Sequence, residues 1–303
     1  MRDILKKLML ITMAVVAAMV AYAKENQTAD VKVTAEIKKN GFVGEALTYE
    51  VTLMSTSSDM ANVRVLTAPK FPNDTKVIQG AARGSRPSIK KVNGKEYYCW
   101  TIMRSFVIPG RSGKLSIAGG RYIAFVPHEK IAYHPFWGKQ RVLEYEEMEL
   151  TCNNVNLKIS NLPKKNGMTE NVCVGEFKIE GWFPPGRINK GQEAYAVFTI
   201  GGFGSLETLK LPNLNKLFGK GCRLKEVDQN EEQLQRDGRL YTEVTLTCKF
   251  VAEEDEFEIA PLCLEFFSPD TKKYYETCSE TLHWTGTPSE KKKGSSTKDA
   301  IKV

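Results

Sequence analysis

Apolar residues recur at every second position along most of the chain. Val31, Val33, Ala35 and Ile37 fall on one face of an extended segment. Leu47, Tyr49, Val51 and Leu53 share a face in the next, and Leu240, Thr242, Val244, Leu246, Cys248 and Phe250 in a third. β-branched and aromatic residues fill these runs, while Gly, Asn, Pro and Lys separate them. Antiparallel sheets with one solvated face follow from that pattern. No stretch carries an apolar face at helical spacing. "DQNEEQLQRDGR" (Asp228 to Arg239) is polar all round and is expected to be a loop or one exposed turn. Many short strands with turn signals between them predict an all-β protein of immunoglobulin-like β-sandwich type.

The pattern also repeats. "VGEALTYEVTL" (Val43 to Leu53) has the shape of "KGQEAYAVFTI" (Lys190 to Ile200): a Gly, a polar residue, then an alternating strand. Leu115 aligns with Phe257, Ile117 with Ile259, Phe125 with Phe267 and Pro127 with Pro269 at one constant offset, and Gly44 with Gly191 at a slightly larger one. Matches in the same order predict two tandem immunoglobulin-like β-sandwich domains, 24–163 and 173–286, two bodies joined by a short linker at 164–172. Residues 128–150 interrupt the rhythm of the first as an insertion. The last stretch, 287–303, is polar and is expected to be a disordered tail.

The 303 residues suffice for about two domains of ordinary size. Residues 1–23 read as a signal peptide. Arg2, Lys6 and Lys7 precede a short apolar run, and Ala21 and Ala23 supply the small residues of a cleavage site. The mature protein is therefore expected to be exported. The net charge of +7 is scattered, and its densest cluster, from Arg83 to Lys95, reads as a solvated loop, so nucleic acid is not an expected partner.

Candidate chemistry is sparse. Of seven cysteines, several lie inside apolar strand patterns, Cys99 and Cys263 among them, and these are expected to be small buried hydrophobes. No C-x-x-C occurs, and no cysteine has a His partner in sequence. His128, Glu129 and His134 stand close enough to raise a metal site, but the chain has only three His and no Cys pair at ligand spacing beside them. "IGGFGS" leads into a strand rather than a helix, which removes a phosphate-binding helix N-terminus. No catalytic residue, metal, cofactor or small-molecule substrate is expected. The candidate binding surface is instead aromatic. Tyr133, Pro135, Phe136 and Trp137 gather in the insertion, either as an interface hot spot or as a cap on the first sandwich. Trp182 and Phe183 either meet a partner or pack against the linker and fix the angle between the domains.

The ordered set "VGEALTYEVTL", "APKFP", "YYCWTIMRSFVIPGRSGKLSI", "HPFWGKQRVLEYEEMELTCNNVNLKISNLP" and "VGEFKIEG" resembles the BatD family, the oxygen-tolerance (aerotolerance) proteins of Bacteroides-type bacteria. "GSLETLKLPNL" and "IAPLCLEFFSPDTKKYYETCSETL" extend the likeness over roughly Val31 to Leu282. The resemblance implies tandem immunoglobulin-like domains in the periplasm. It also implies association with von Willebrand factor A-type Bat proteins of the cell envelope, and no enzymatic activity. Family members usually carry a membrane helix after the sandwiches; none is seen before Val303, so the chain is expected to be either soluble or held at the membrane only indirectly, by a partner. The expected function is a protein–protein interaction scaffold, with a carbohydrate-binding or adhesin module as the alternative.

Overall fold

The computed structural model describes residues 29–60, 62–82, 86–164, 172–219 and 221–285. The expected signal peptide with Ala21 and Ala23, most of the expected linker and the expected tail lie outside the described residues.

The described chain is all-β, with one short 3-10 turn at Leu214–Lys216. The first half contains β1 (Val31–Glu36), β2 (Gly41–Phe42), β3 (Leu47–Ser55), β4 (Val63–Thr67), β5 (Thr75–Gly80), β6 (Ser88–Val92), β7 (Lys95–Pro109), β8 (Gly113–Ile117), β9 (Arg121–His134), β10 (Gly138–Thr151) and β11 (Val155–Ser160). The second contains β12 (Cys173–Trp182), β13 (Glu193–Ser205), β14 (Cys222–Arg236), β15 (Arg239–Ala252), β16 (Glu256–Ile259), β17 (Cys263–Ser268), β18 (Lys273–Cys278) and β19 (Leu282–Thr285).

The first half runs β1-β3-β7-β5 in one sheet, and the second runs β12-β13-β15-β14, the same path. Beside each lie shorter sheets, β10-β9-β4 and β2-β11-β8 in the first half and β16-β19 in the second, while β17 and β18 extend the second half's main sheet. The turn that opens each unit is also the same. Glu45 N–H donates to Phe42 O and Gln192 N–H to Asn189 O, both at 3.1 Å. Gly44 N–H donates to Pro109 O at 2.9 Å and Gly191 N–H to Ala252 O at 2.7 Å. Both glycines sit at positive φ, 80° and 79°, which explains why a Gly leads each strand.

The period-two pattern becomes burial directly. Leu47, Tyr49, Val51 and Leu53 point into one core with Ile117, Tyr122 and Ile159. Phe198, Ile200, Leu246, Phe250 and Ile259 fill another. Glycines thin one place between strands: a Cβ on Gly202 would lie 2.0 Å from Glu176 O, so β12 and β13 approach there only because no side chain intervenes.

Two expectations fail here. Asp228 to Arg239 is neither loop nor single turn. It is most of β14, joined to β15 by Asp237 and Gly238 at φ 50° and 75°. Asp-Gly between strands is a strong hairpin signal. The stretch lacks an apolar period because β14 is exposed along most of its length. The halves also are not separate bodies on a linker. The tip of that same hairpin lies on β3 and β7: Thr48 Oγ1 donates to Gly238 O at 3.2 Å, and Leu240 joins Phe106 and Ile108 in a buried cluster. A second cluster brings Val172, Val174 and Phe267 against Phe42, Leu162 and Tyr274. Apolar surface on both sides is thereby removed from water, which favours contact over separation.

A polar rim edges this contact. Lys39 Nζ reaches Asp270 Oδ1 at 3.0 Å and Glu45 Oε1 at 2.9 Å. The hydrogen bond from Lys39 holds the Asp270 carboxyl below the usual carboxylate range, against burial that works the other way. Burial pulls Lys39 down, but its bonds to Glu45 and Asp270 outweigh that and raise it. An acid with a depressed value stabilises the fold above its ordinary pKa and loses that effect as pH falls through the folded value. A raised lysine acts below its ordinary pKa and loses its effect as pH rises through the folded one. The rim is therefore expected to be complete between about pH 5 and pH 10. The difference in thermal midpoint between wild type and Asp270→Asn should be flat in that window and shrink below about pH 4. Its size is under about 1 kcal/mol, because both side chains are half exposed. A difference unchanged down to pH 2 would remove Lys39–Asp270 as its source.

Candidate functional site

The residues expected to form an insertion extend β9 and β10 into a two-stranded arm. The pairing is unbroken over fourteen rungs, from Arg121↔Thr151 to His134↔Gly138. β4 supports β9 only at its base, up to the rung Val63↔Ala124. From Glu129↔Leu143 outward the arm is a free hairpin roughly 20 Å long. Its base is anchored by Tyr122, Ala124 and Val126, all buried in the first core.

The tip is Pro135-Phe136-Trp137, closed by Gly138 at φ 70°. Phe136 is 89 % exposed, Tyr133 76 % and Trp137 71 %. The cap on the first sandwich is therefore not what these residues form: the hairpin carries them away from the body. Local contacts order them instead. The His134 ring stacks on Trp137 at 4.3 Å between centroids, and Phe136 N–H donates to His134 Nδ1 at 3.2 Å. Ile131, Val142, Leu143 and Tyr145 continue the exposed apolar surface down the arm. Charge is divided along it. Residues 130–141 hold Lys130, Lys139 and Arg141 and no acid, while 142–149 hold four Glu. Lys130 meets Glu144 at 3.3 Å and Arg141 meets Glu129 at 3.2 Å, so partial neutralisation keeps the two strands in register.

The structure does not gather His128, Glu129 and His134. His128 faces Glu144 at 3.7 Å, Glu129 is held by Arg141, and His134 is stacked on Trp137. Alternation along the strand puts Glu129 on the face opposite the two histidines. Trp182 and Phe183 also part company. β12 begins beside the first half and runs away from it, so its Trp182 end is remote from the linker. Trp182 is 42 % exposed. Phe183 packs into the second core, 5.8 Å from Phe257 and 5.9 Å from Trp284. Neither fixes an interdomain angle.

One pairing was missed altogether. Cys263 is not a buried hydrophobe: it is exposed and forms a disulfide with Cys278 across β17 and β18. The available signal was turn chemistry, "SPDTKK", which places the two cysteines symmetrically about a hairpin turn. The remaining cysteines, 99, 152, 173, 222 and 248, are buried. Burial pushes the thiols of Cys173, Cys222 and Cys248 up to about 11, which keeps them protonated and unreactive.

Two concavities among the described residues are small. A cleft of about 30 Å³ lies between the halves beside Lys39, Glu45 and Arg239, and one of about 130 Å³ lies beside Pro72, Asp74 and Arg111. Sites for organic ligands usually occupy several hundred Å³. No helix among the described residues is long and apolar enough to cross a membrane. No known protein-family model matches the chain, and no curated protein matches it.

Proposed function

We propose that this chain is a non-catalytic, exported protein of BatD type that serves as a protein–protein interaction scaffold in the periplasm. In this reading two immunoglobulin-like sandwiches, supported by the shared strand path and the shared opening turn, form one body that displays the β9–β10 arm. The observation that carries the proposal is the arm itself. Three large aromatic side chains stand in water at the end of an ordered hairpin, at a cost that burial against a partner would remove. The partner class, von Willebrand factor A-type Bat proteins, comes from the BatD resemblance.

The test is binding of the mature chain to the periplasmic part of such a partner. Phe136→Ala with Trp137→Ala is expected to weaken it about 100-fold or more, since each interface hot spot contributes about 2 kcal/mol or more. The thermal midpoint should not move, because both side chains are exposed. Binding that survives the double change removes the arm, and no binding by the wild type removes the scaffold reading with this partner class. The flat, solvent-facing Trp137 ring stacked on His134 also suits a sugar face, which keeps the carbohydrate-binding reading as the alternative. A glycan array that selects one sugar class, and loses it in Trp137→Ala, would favour that reading instead.

A further inference from the structure

At the far side of the second half, β18 is the edge strand and β17 is its neighbour. Their register sets Cys263 opposite Cys278, then Glu265 opposite Glu276. Residues two apart on a strand share a face, so these four side chains occupy one side of the hairpin. Two sulfurs and two carboxylates thus stand at the corners of a rectangle about 5 Å by 7 Å. The sulfur atoms of Cys263 and Cys278 and a carboxylate oxygen of Glu276 lie within 4.8 Å of one another.

Two physical points make this more than a chance cluster. The disulfide is exposed on both strands, so an external thiolate can reach it. The hairpin's pairing does not depend on the S–S bond. Beyond the cysteines, Leu262 N–H donates to Ser279 Oγ at 3.0 Å and Ser279 N–H donates to Leu262 O at 2.9 Å, closing the open end of the ladder. Reduction would therefore leave two thiols held side by side. Tetrahedral zinc with bonds of about 2.3 Å needs sulfurs about 3.8 Å apart, a separation that directly opposed strand positions supply.

We propose that the reduced form of this hairpin is a zinc site, with Cys263, Cys278 and Glu276 as ligands and Glu265 or water in the fourth position. The disulfide is the closed state of the same site. A dithiol reductant opens it. One of its thiolates attacks a cysteine sulfur to give a mixed disulfide, and its second thiolate then displaces that cysteine. The reductant becomes a disulfide, and two electrons and two protons pass to Cys263 and Cys278. Zinc binding then releases the two thiol protons to solvent. The five other cysteines do not compete, because they are buried.

The decisive comparison uses one protein in two redox states. The mature chain, oxidised or treated with a phosphine reductant that is then removed, is titrated with Zn²⁺ against a chromogenic chelator. The reduced form should take one Zn²⁺ per chain and the oxidised form none. With Co²⁺ as probe, the reduced form should show a sulfur-to-cobalt charge-transfer band in the near ultraviolet. Cys263→Ser with Cys278→Ser should abolish the band. Glu276→Gln, which keeps both thiols, should weaken Zn²⁺ binding at least about 10-fold. Equal uptake by both redox forms, no uptake by the reduced form, or a band that survives in the double serine variant overturns the proposal. Unchanged affinity in Glu276→Gln overturns the ligand set. Because the first comparison needs no substitution, a variant that fails to fold leaves the outcome decided.

Discussion

Arg104→Ala is expected to destabilise the protein by about 3–5 kcal/mol. Arg104 lies on β7 where the β14–β15 hairpin covers it, and only 6 % of its side chain is exposed. Its Nε donates to Glu50 Oε1 at 2.7 Å, Nη2 donates to the same oxygen, and Nη1 reaches Ala81 O at 3.5 Å. Glu50 is itself 18 % exposed. Truncating the arginine leaves a mostly buried carboxylate without its arginine counter-charge, and that is where the large cost arises. Replacing both partners, Arg104→Met with Glu50→Leu, should recover most of it, since a buried pair is often no better than apolar residues of like volume. Urea denaturation of the three proteins measures this through the shift in midpoint. A loss below about 1 kcal/mol in Arg104→Ala would mean that water reaches the pair.

Phe267→Ala is expected to cost about 3–5 kcal/mol, for a different reason. Its ring is completely buried, 5.0 Å edge-on from Phe42 of the first half and 5.1 Å from Tyr274 of the second. Deleting it opens a cavity where the halves meet rather than inside either core. Calorimetry should therefore register more than a lower midpoint. The wild type is expected to unfold in one cooperative transition, and the variant in a broadened or split one as the halves uncouple. A narrow single transition with a loss under 1 kcal/mol would show that the ring is not part of what joins them. Either substitution removes a large share of a stability that is typically about 5–15 kcal/mol in total.

Much of the architecture was legible because a half-buried strand writes its burial into every second residue. Tyr49, Val51, Leu246 and Phe250 could be placed before any coordinates, and they are buried. The aromatic run from Tyr133 to Trp137 was likewise visible as a candidate surface. What periodicity does not carry is how far a strand continues once both of its faces meet water. Residues 128–150 looked like an insertion and 228–239 like a loop for the same reason: each is ladder-paired through its backbone while its side chains are mostly exposed. Gly138 and the Asp237-Gly238 turn were the cues, and they are cues of turn chemistry rather than of burial. The contact between the halves was hidden because Phe42, Phe106 and Leu240 read as ordinary strand residues; nothing in a one-dimensional pattern says which of two cores a side chain joins. Cys263 was misplaced by the same ambiguity, since an apolar neighbourhood in sequence does not say which side of the sheet a residue takes.

The fourteen-rung ladder that runs from Arg121, beside the buried Tyr122, to His134, beneath the exposed Trp137, has a mechanical meaning. The backbone pairing of such a ribbon is unbroken at its root, so a grip on the far end is joined to the cluster around Ile117 and Ile159 through continuous hydrogen-bonded strands, as a handle is joined to its tool.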